Sequence, residues 1–152
     1  MRPARIGPTA NSTVGMATLI VLGMAAASPW IAIVDDDPAV LRGLARLLRT
    51  HALQTRTYAS AHEFLAALPS GLPECLIVDW QMPDMNGLEL LQQLRRQGIQ
   101  VPTIVISAHG SAGAQERCIS AGARTFLAKP LQDTELLAAI VGARSSAGTL
   151  GP

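Results

Sequence analysis

The sequence predicts an α/β fold built on a doubly wound parallel sheet, and three observations lead there. Strand-like runs recur five times between Trp30 and Ala128. Each is followed by a stretch whose apolar residues return at helical spacing. Apolar residues make up 49% of the chain but aromatics only 3%. The core must therefore be Leu, Ile, Val and Ala, which suits strands buried on both faces. At 152 residues the chain holds one ordinary domain.

The elements follow in order. Ile31–Val34 is an apolar run halted by Asp35, Asp36 and Asp37. Asp37 followed by Pro38 opens a helix as N-cap and first residue. Val40, Leu41, Leu44, Leu47 and Leu48 then mark its inner face. Residues 53–58 form a second strand. Ser60 and Glu63 have the spacing of a capping box, ahead of a helix carrying Phe64, Leu65 and Leu68. Cys75–Val78 is the third strand, closing on Asp79. In the turn that follows, Asn86 and Gly87 are read as residues tolerant of positive φ. Leu88, Leu91 and Leu94 mark the third helix. Thr103–Ile106 is the fourth strand. Ser111–Ala121 is helical by rhythm, with glycines at its start and a thin apolar face of Ala114, Cys118 and Ile119. Thr125–Ala128 is the fifth strand. Asp133 or Thr134 caps a last helix, with Leu136, Leu137, Ile140 and Val141 on one face. Strict alternation with short connections implies right-handed parallel crossovers. Five strands in this length give a flavodoxin-like (βα)5 sheet, order 2-1-3-4-5.

The fold is expected over residues 30–143. Residues 144–152 have linker composition. Residues 1–29 read as a leader outside the fold, either disordered or present because the start is placed too far upstream, Met16 and Met24 offering later starts. The competing reading is an export signal, since Arg2 and Arg5 precede an apolar stretch ending in Ala25–Ala27. That stretch is too short to span a bilayer comfortably. Formal net charge is +1 with 15% charged residues, unlike a strongly basic nucleic-acid-binding surface or a disordered chain. Cys75 and Cys118 lack metal-ligand spacing with each other or with His51, His62 and His109. They read as small buried hydrophobes in a reducing compartment.

In a doubly wound sheet, ligands bind beyond the carboxyl ends of the strands. Strand one ends in Asp35, Asp36 and Asp37, strand three in Asp79, strand four in Ser107, and strand five in Lys129 and Pro130. Each has an ordinary structural explanation on its own: a helix cap, a loop cap, a turn hydroxyl, a solvated amine. All of them fall at one end of one sheet, which those explanations do not account for. The set suits phosphoryl transfer to a carboxylate. Aspartate can act as nucleophile to form an acyl phosphate. Clustered carboxylates repel unless a cation is present, and magnesium prefers oxygen ligands. A metal, an ammonium and a hydroxyl together can neutralise the charge of the transferred group.

These residues resemble the response-regulator receiver domain of two-component signalling. The resemblance covers about Trp30 to Ala143 and rests on Ile33–Asp37, Leu76–Gly87, Val105–Ala108 and Ala121–Pro130. It implies a phosphorylation switch in the cytoplasm, with Asp79 accepting a phosphoryl group from a sensor histidine kinase or phosphotransfer protein. It implies Mg2+ as cofactor, with Asp36 the main acidic ligand, Asp35 nearby, and Asp79 and the Gln81 carbonyl completing the protein's share. Ser107 and Lys129 would contact the phosphoryl group, and Lys129–Pro130 would be a cis peptide. Ser107 and Phe126 would be the switch pair, relaying to the face of helix four, strand five and helix five, where a downstream protein or a second copy would bind. The domain would not be an enzyme but a phosphoacceptor that assists its own phosphorylation and dephosphorylation. Ala108, His109 and Gly110 look most like the branch of nitrogen-fixation and LuxR-type regulators, here without a DNA-binding output domain. No membrane contact or direct nucleic-acid binding is expected.

Three rivals compete. A phosphatase with an aspartyl nucleophile needs an acid two residues on, where Gln81 stands. A flavin carrier needs a hydroxyl-rich phosphate loop after strand one, where three aspartates stand. A pseudo-receiver would bind partners without phosphorylation and usually lacks one of the chemical positions; here all are present.

Overall fold

The computed structural model describes residues 29–108 and 113–149, with side chains through Arg144. Residues 1–28, with the expected leader, and His109–Ala112 lie outside the described residues, as do 150–152. The elements are β1 Trp30–Val34, α1 Pro38–Thr50, β2 Gln54–Tyr58, α2 Ala61–Ala67, β3 Cys75–Asp79, α3 Gly87–Arg96, β4 Thr103–Ser107, α4 Ala114–Ser120, β5 Thr125–Ala128 and α5 Asp133–Thr149. The five strands are parallel in the order β2-β1-β3-β4-β5, as the alternation predicts.

Alternation along each strand divides the core in two. Ala32, Val34, Leu76, Val78 and Val105 face Phe64 of α2, Leu90, Leu91 and Leu94 of α3, and Cys118 of α4. Ile31, Ile33, Ile77, Ile104 and Ile106 face Leu44 and Leu48 of α1 and Leu136, Ile140 and Ala143 of α5. β1, β3 and β4 are buried along their whole length, so each Val, Leu or Ile side chain on them contributes roughly 1.5–3 kcal/mol. β2 is an edge strand with mostly polar side chains. Both cysteines are free and buried, with thiols pushed up to about 12 at Cys75 and about 11 at Cys118 chiefly by desolvation.

Several boundaries differ from expectation. α5 does not stop at Ala143 but runs to Thr149, so most of the expected linker is helix. No proline interrupts residues 144–149, a helix propagates cheaply once nucleated, and Arg144 Nε donates to Glu74 Oε1 at 2.8 Å, tying this turn to the approach to β3. Asp133 is the first helical residue rather than the cap, Leu136 N–H donating to the Gln132 carbonyl. Val141 points outward, 62% exposed, and Ala143 takes its place in the core. α4 is shorter than its rhythm suggests and starts after Gly113, which adopts a left-handed φ of 81° and offers no side-chain cap. Ile119 is 44% exposed.

Candidate functional site at the strand ends

Register brings the site together. Val34 pairs with Val78, so Asp35 emerges beside Asp79. Asp79 pairs with Ile106, and Ser107 with Ala128, so Ser107 and Lys129 follow at the same rim. Lys129 N–H donates to the Ser107 carbonyl at 2.8 Å, and the Lys129–Pro130 peptide is cis. Ser107 is buried.

The Lys129 ammonium lies 3.2 Å from Asp79 Oδ1 and 3.5 Å from Asp35 Oδ2. Asp35 Oδ1 accepts from the Asp37 N–H at 2.9 Å, which holds the start of α1 against the site. Asp37 in turn caps α1, its Oδ1 accepting from Ala39 N–H at 2.9 Å. Asp35 Oδ2 is buried and accepts no hydrogen bond. One carboxylate oxygen from each of Asp35, Asp36 and Asp79 lies within 4.8 Å of the other two. Asp35 and Asp79 are buried and Asp36 is exposed.

Burial pushes the Asp35 and Asp79 carboxyls above the ordinary range; the Asp35 charge adds to the effect at Asp79, and Lys129 opposes it at both. Partial burial works against the Lys129 ammonium, yet the two carboxylates outweigh it and raise its pKa. Three carboxylates and one ammonium leave the cluster short of positive charge, with the buried Asp35 Oδ2 served, among the described residues, only by the Lys129 ammonium at 3.5 Å. That donor set fits a hard divalent cation.

The raised carboxyls set a sign for stability. In the folded state these groups hold protons more tightly than in the unfolded chain. Their contribution is present below the unfolded carboxylate pKa and is lost as pH rises through the folded value. At neutral pH without divalent cation the two carboxyls cost stability, while the raised Lys129 pKa works in the opposite direction. Asp79→Asn, which removes one of the raised carboxyls, is therefore expected to raise the urea midpoint at pH 7 in chelator, with the gain shrinking as pH falls below the unfolded carboxylate pKa; a variant less stable than wild type at pH 7 would contradict this.

The loop after Asp79 is built differently from the expected turn. Asn86, at φ −84°, is the N-cap of α3: Asn86 Oδ1 accepts from Glu89 N–H at 2.8 Å and Glu89 Oε1 accepts from Asn86 N–H at 2.9 Å. The positive-φ residue is Asp84, at 69°. Gly87 is required for close approach instead: a Cβ there would stand 2.8 Å from the Asp79 carbonyl oxygen. Gln81 is exposed, and Trp80 and Phe126 are half-buried against the α2–α3–α4 core. A cavity of about 750 Å3 lined by Arg95, Ile99, Val101, Ile119 and Arg124 opens toward the other ends of the strands and contains none of these side chains.

The profile of the response regulator receiver domain matches residues 31–141. The chain belongs to the response-regulator receiver family. Response regulator protein TodT of Pseudomonas putida is 43% identical over 110 residues, 72% of this chain and 48% of that protein. Transcriptional regulatory protein FixJ of Rhizobium meliloti is 39% identical over 108 residues, 71% of this chain and 53% of that protein. The receiver chain thus spans about half the length of the curated relatives it matches. The crystal structure of FixJ-N superposes with a TM-score of 0.73 at 36% identity, covering 78% of this chain and 95% of that one. A response regulator receiver protein from Burkholderia phymatum is 40% identical with a TM-score of 0.68, covering 78% and 96%. Among the described residues, no helix of this receiver is long and apolar enough to cross a membrane.

Proposed function

We propose that this receiver is a cytoplasmic phosphorylation switch in which Asp79 takes a phosphoryl group from the phosphohistidine of a sensor kinase or phosphotransfer protein. The observation that carries the reading is the buried Asp79 carboxylate at the end of a central strand, 3.2 Å from Lys129 and clustered with Asp35 and Asp36. An Asp79 oxygen attacks phosphorus, the P–N bond to the donor imidazole breaks, and an acyl phosphate forms. Lys129 moves from the carboxylate to the phosphoryl oxygens, and the Ser107 hydroxyl donates to another. Asp35, Asp36, Asp79 and the Gln81 carbonyl would hold Mg2+, which when bound neutralises the carboxylates and the phosphoryl oxygens. The chain consumes no substrate catalytically; it assists gain and loss of its own phosphoryl group.

The readout runs through Ser107 and Phe126. As Ser107 turns to the phosphoryl group, the half-buried Phe126 ring moves inward, altering the α4–β5–α5 face offered to a downstream protein or a second copy. Two discrete arrangements with different partner affinity are what a switch requires.

The test is incubation with acetyl phosphate, with and without magnesium, followed by electrophoresis on a phosphate-retarding gel. One retarded species that needs magnesium and is absent from Asp79→Asn supports the proposal. No retarded species would leave the fold intact and favour a pseudo-receiver that binds its partner without phosphorylation.

A further inference from the structure

Arg117 lies in the middle of α4, and its guanidinium sits over the Trp80 ring, 5.5 Å from the centroid. Trp80 is the residue directly after Asp79, and its backbone is held on both sides. Its N–H donates to the Ile106 carbonyl at 2.7 Å, and its carbonyl accepts from Gly87 N–H at 3.0 Å. The ring therefore projects from a rigid point beside the phosphoacceptor. α4 is the opposite case. It has only seven residues and no side-chain N-cap, and it buries only Ala114 and Cys118. A helix of that length is not stable on its own, so its position depends on a few contacts with β5, α3 and Trp80.

We propose that Arg117 is a positioning residue: its stack on Trp80 latches α4 in the arrangement in which Lys129 pairs directly with the Asp79 carboxylate. The inference rests on the phosphoryl-switch reading of Asp79. A contact that favours one arrangement lowers affinity for any ligand that favours the other, in proportion to the contact's strength. A guanidinium over a partly exposed indole shifts an equilibrium by about two- to fivefold. Losing the latch should therefore let the site take a phosphoryl mimic more tightly, although neither Arg117 nor the Trp80 ring need touch it.

The probe is beryllofluoride at saturating magnesium, titrated by calorimetry into the full chain. Arg117→Ala and Trp80→Leu should each bind about two- to fivefold more tightly than wild type, and the double variant no more tightly than either single. Arg117→Lys, which keeps a cation, should fall between Arg117→Ala and wild type. Gln115→Ala, exposed on the same helix, should match wild type and thereby report any general loosening of α4. Amide exchange across residues 114–120 should be faster in Arg117→Ala by a similar factor. Unchanged or weaker binding in Arg117→Ala, or a double variant equal to the product of the singles, overturns the latch while leaving the switch standing. A wild type that binds no beryllofluoride sinks the phosphoryl reading and the latch with it.

Discussion

Gly87→Ala is expected to destabilise the domain by about 1–3 kcal/mol, the ordinary result of forcing a methyl group into filled space, and to cut phosphoryl incorporation at Asp79. The new Cβ would stand 2.8 Å from the Asp79 carbonyl oxygen and 3.2 Å from Trp80 Cα. Both are backbone atoms of a buried strand end, so neither can rotate away. Relief requires α3 to lift or the end of β3 to shift, and a shift moves the Asp79 side chain relative to Lys129. Backbone preference is not the cause, since Gly87 does not have positive φ. Gly43 and Gly142 supply the comparison: both are helical, with nothing within 4 Å of an added Cβ. Alanine at either should be neutral or stabilise by up to about 1 kcal/mol. Urea unfolding of the three variants separates the cases, and a Gly87→Ala protein as stable as Gly43→Ala would show that the strand end yields more easily than its geometry suggests.

Lys129→Met should have the second large effect. It leaves Asp35 and Asp79 facing each other without their ammonium, and removing one partner of a buried charge set costs several kcal/mol when fully enclosed. Lys129 is 25% exposed, so a loss of about 1–2 kcal/mol in chelator is expected after solvent screening. Much of it should return with magnesium, because a divalent cation bound only to the folded chain stabilises by mass action. If Lys129 contacts the phosphoryl group as proposed, acyl phosphate should also form more slowly in this variant. Melting curves in chelator and in magnesium test the first part; a variant as stable as wild type in chelator would mean that the carboxylates are protonated or hydrated rather than paired.

The sheet and the rim were readable because both are written in simple patterns. Aliphatic runs end abruptly at Asp35, Asp79 and Lys129, and βα alternation places those ends together without any knowledge of side-chain contacts. Ser60 and Glu63 also cap α2 much as their spacing suggests, except that Glu63 Oε1 accepts from the Ala59 N–H rather than from Ser60. What the sequence concealed depends on packing. Asn86–Gly87 has turn chemistry, but Asn86 caps a helix through Glu89 and Gly87 is small because Asp79 lies against it. The signal was present, since Asn86 and Glu89 have capping-box spacing. The tail 144–149 has few apolar residues, yet Arg144 finds Glu74, seventy positions away. Val141 follows the helical rhythm of Leu137 and Ile140 but falls where nothing covers it, while the small Ala143 fits beneath. The stack of Arg117 on Trp80 joins two elements whose relative placement only the fold defines.

The most direct measurement is to load the chain from acetyl phosphate with magnesium, reduce the product with borohydride, and map the modified residue by peptide mass spectrometry. Borohydride converts an aspartyl phosphate to homoserine, so the chemistry leaves a permanent mark at the acceptor. Homoserine is expected at position 79 alone, dependent on magnesium and absent when chelator is present. Homoserine at Asp35 or Asp36, or none at any position in a chain that remains folded, would contradict the assignment of Asp79 as phosphoacceptor.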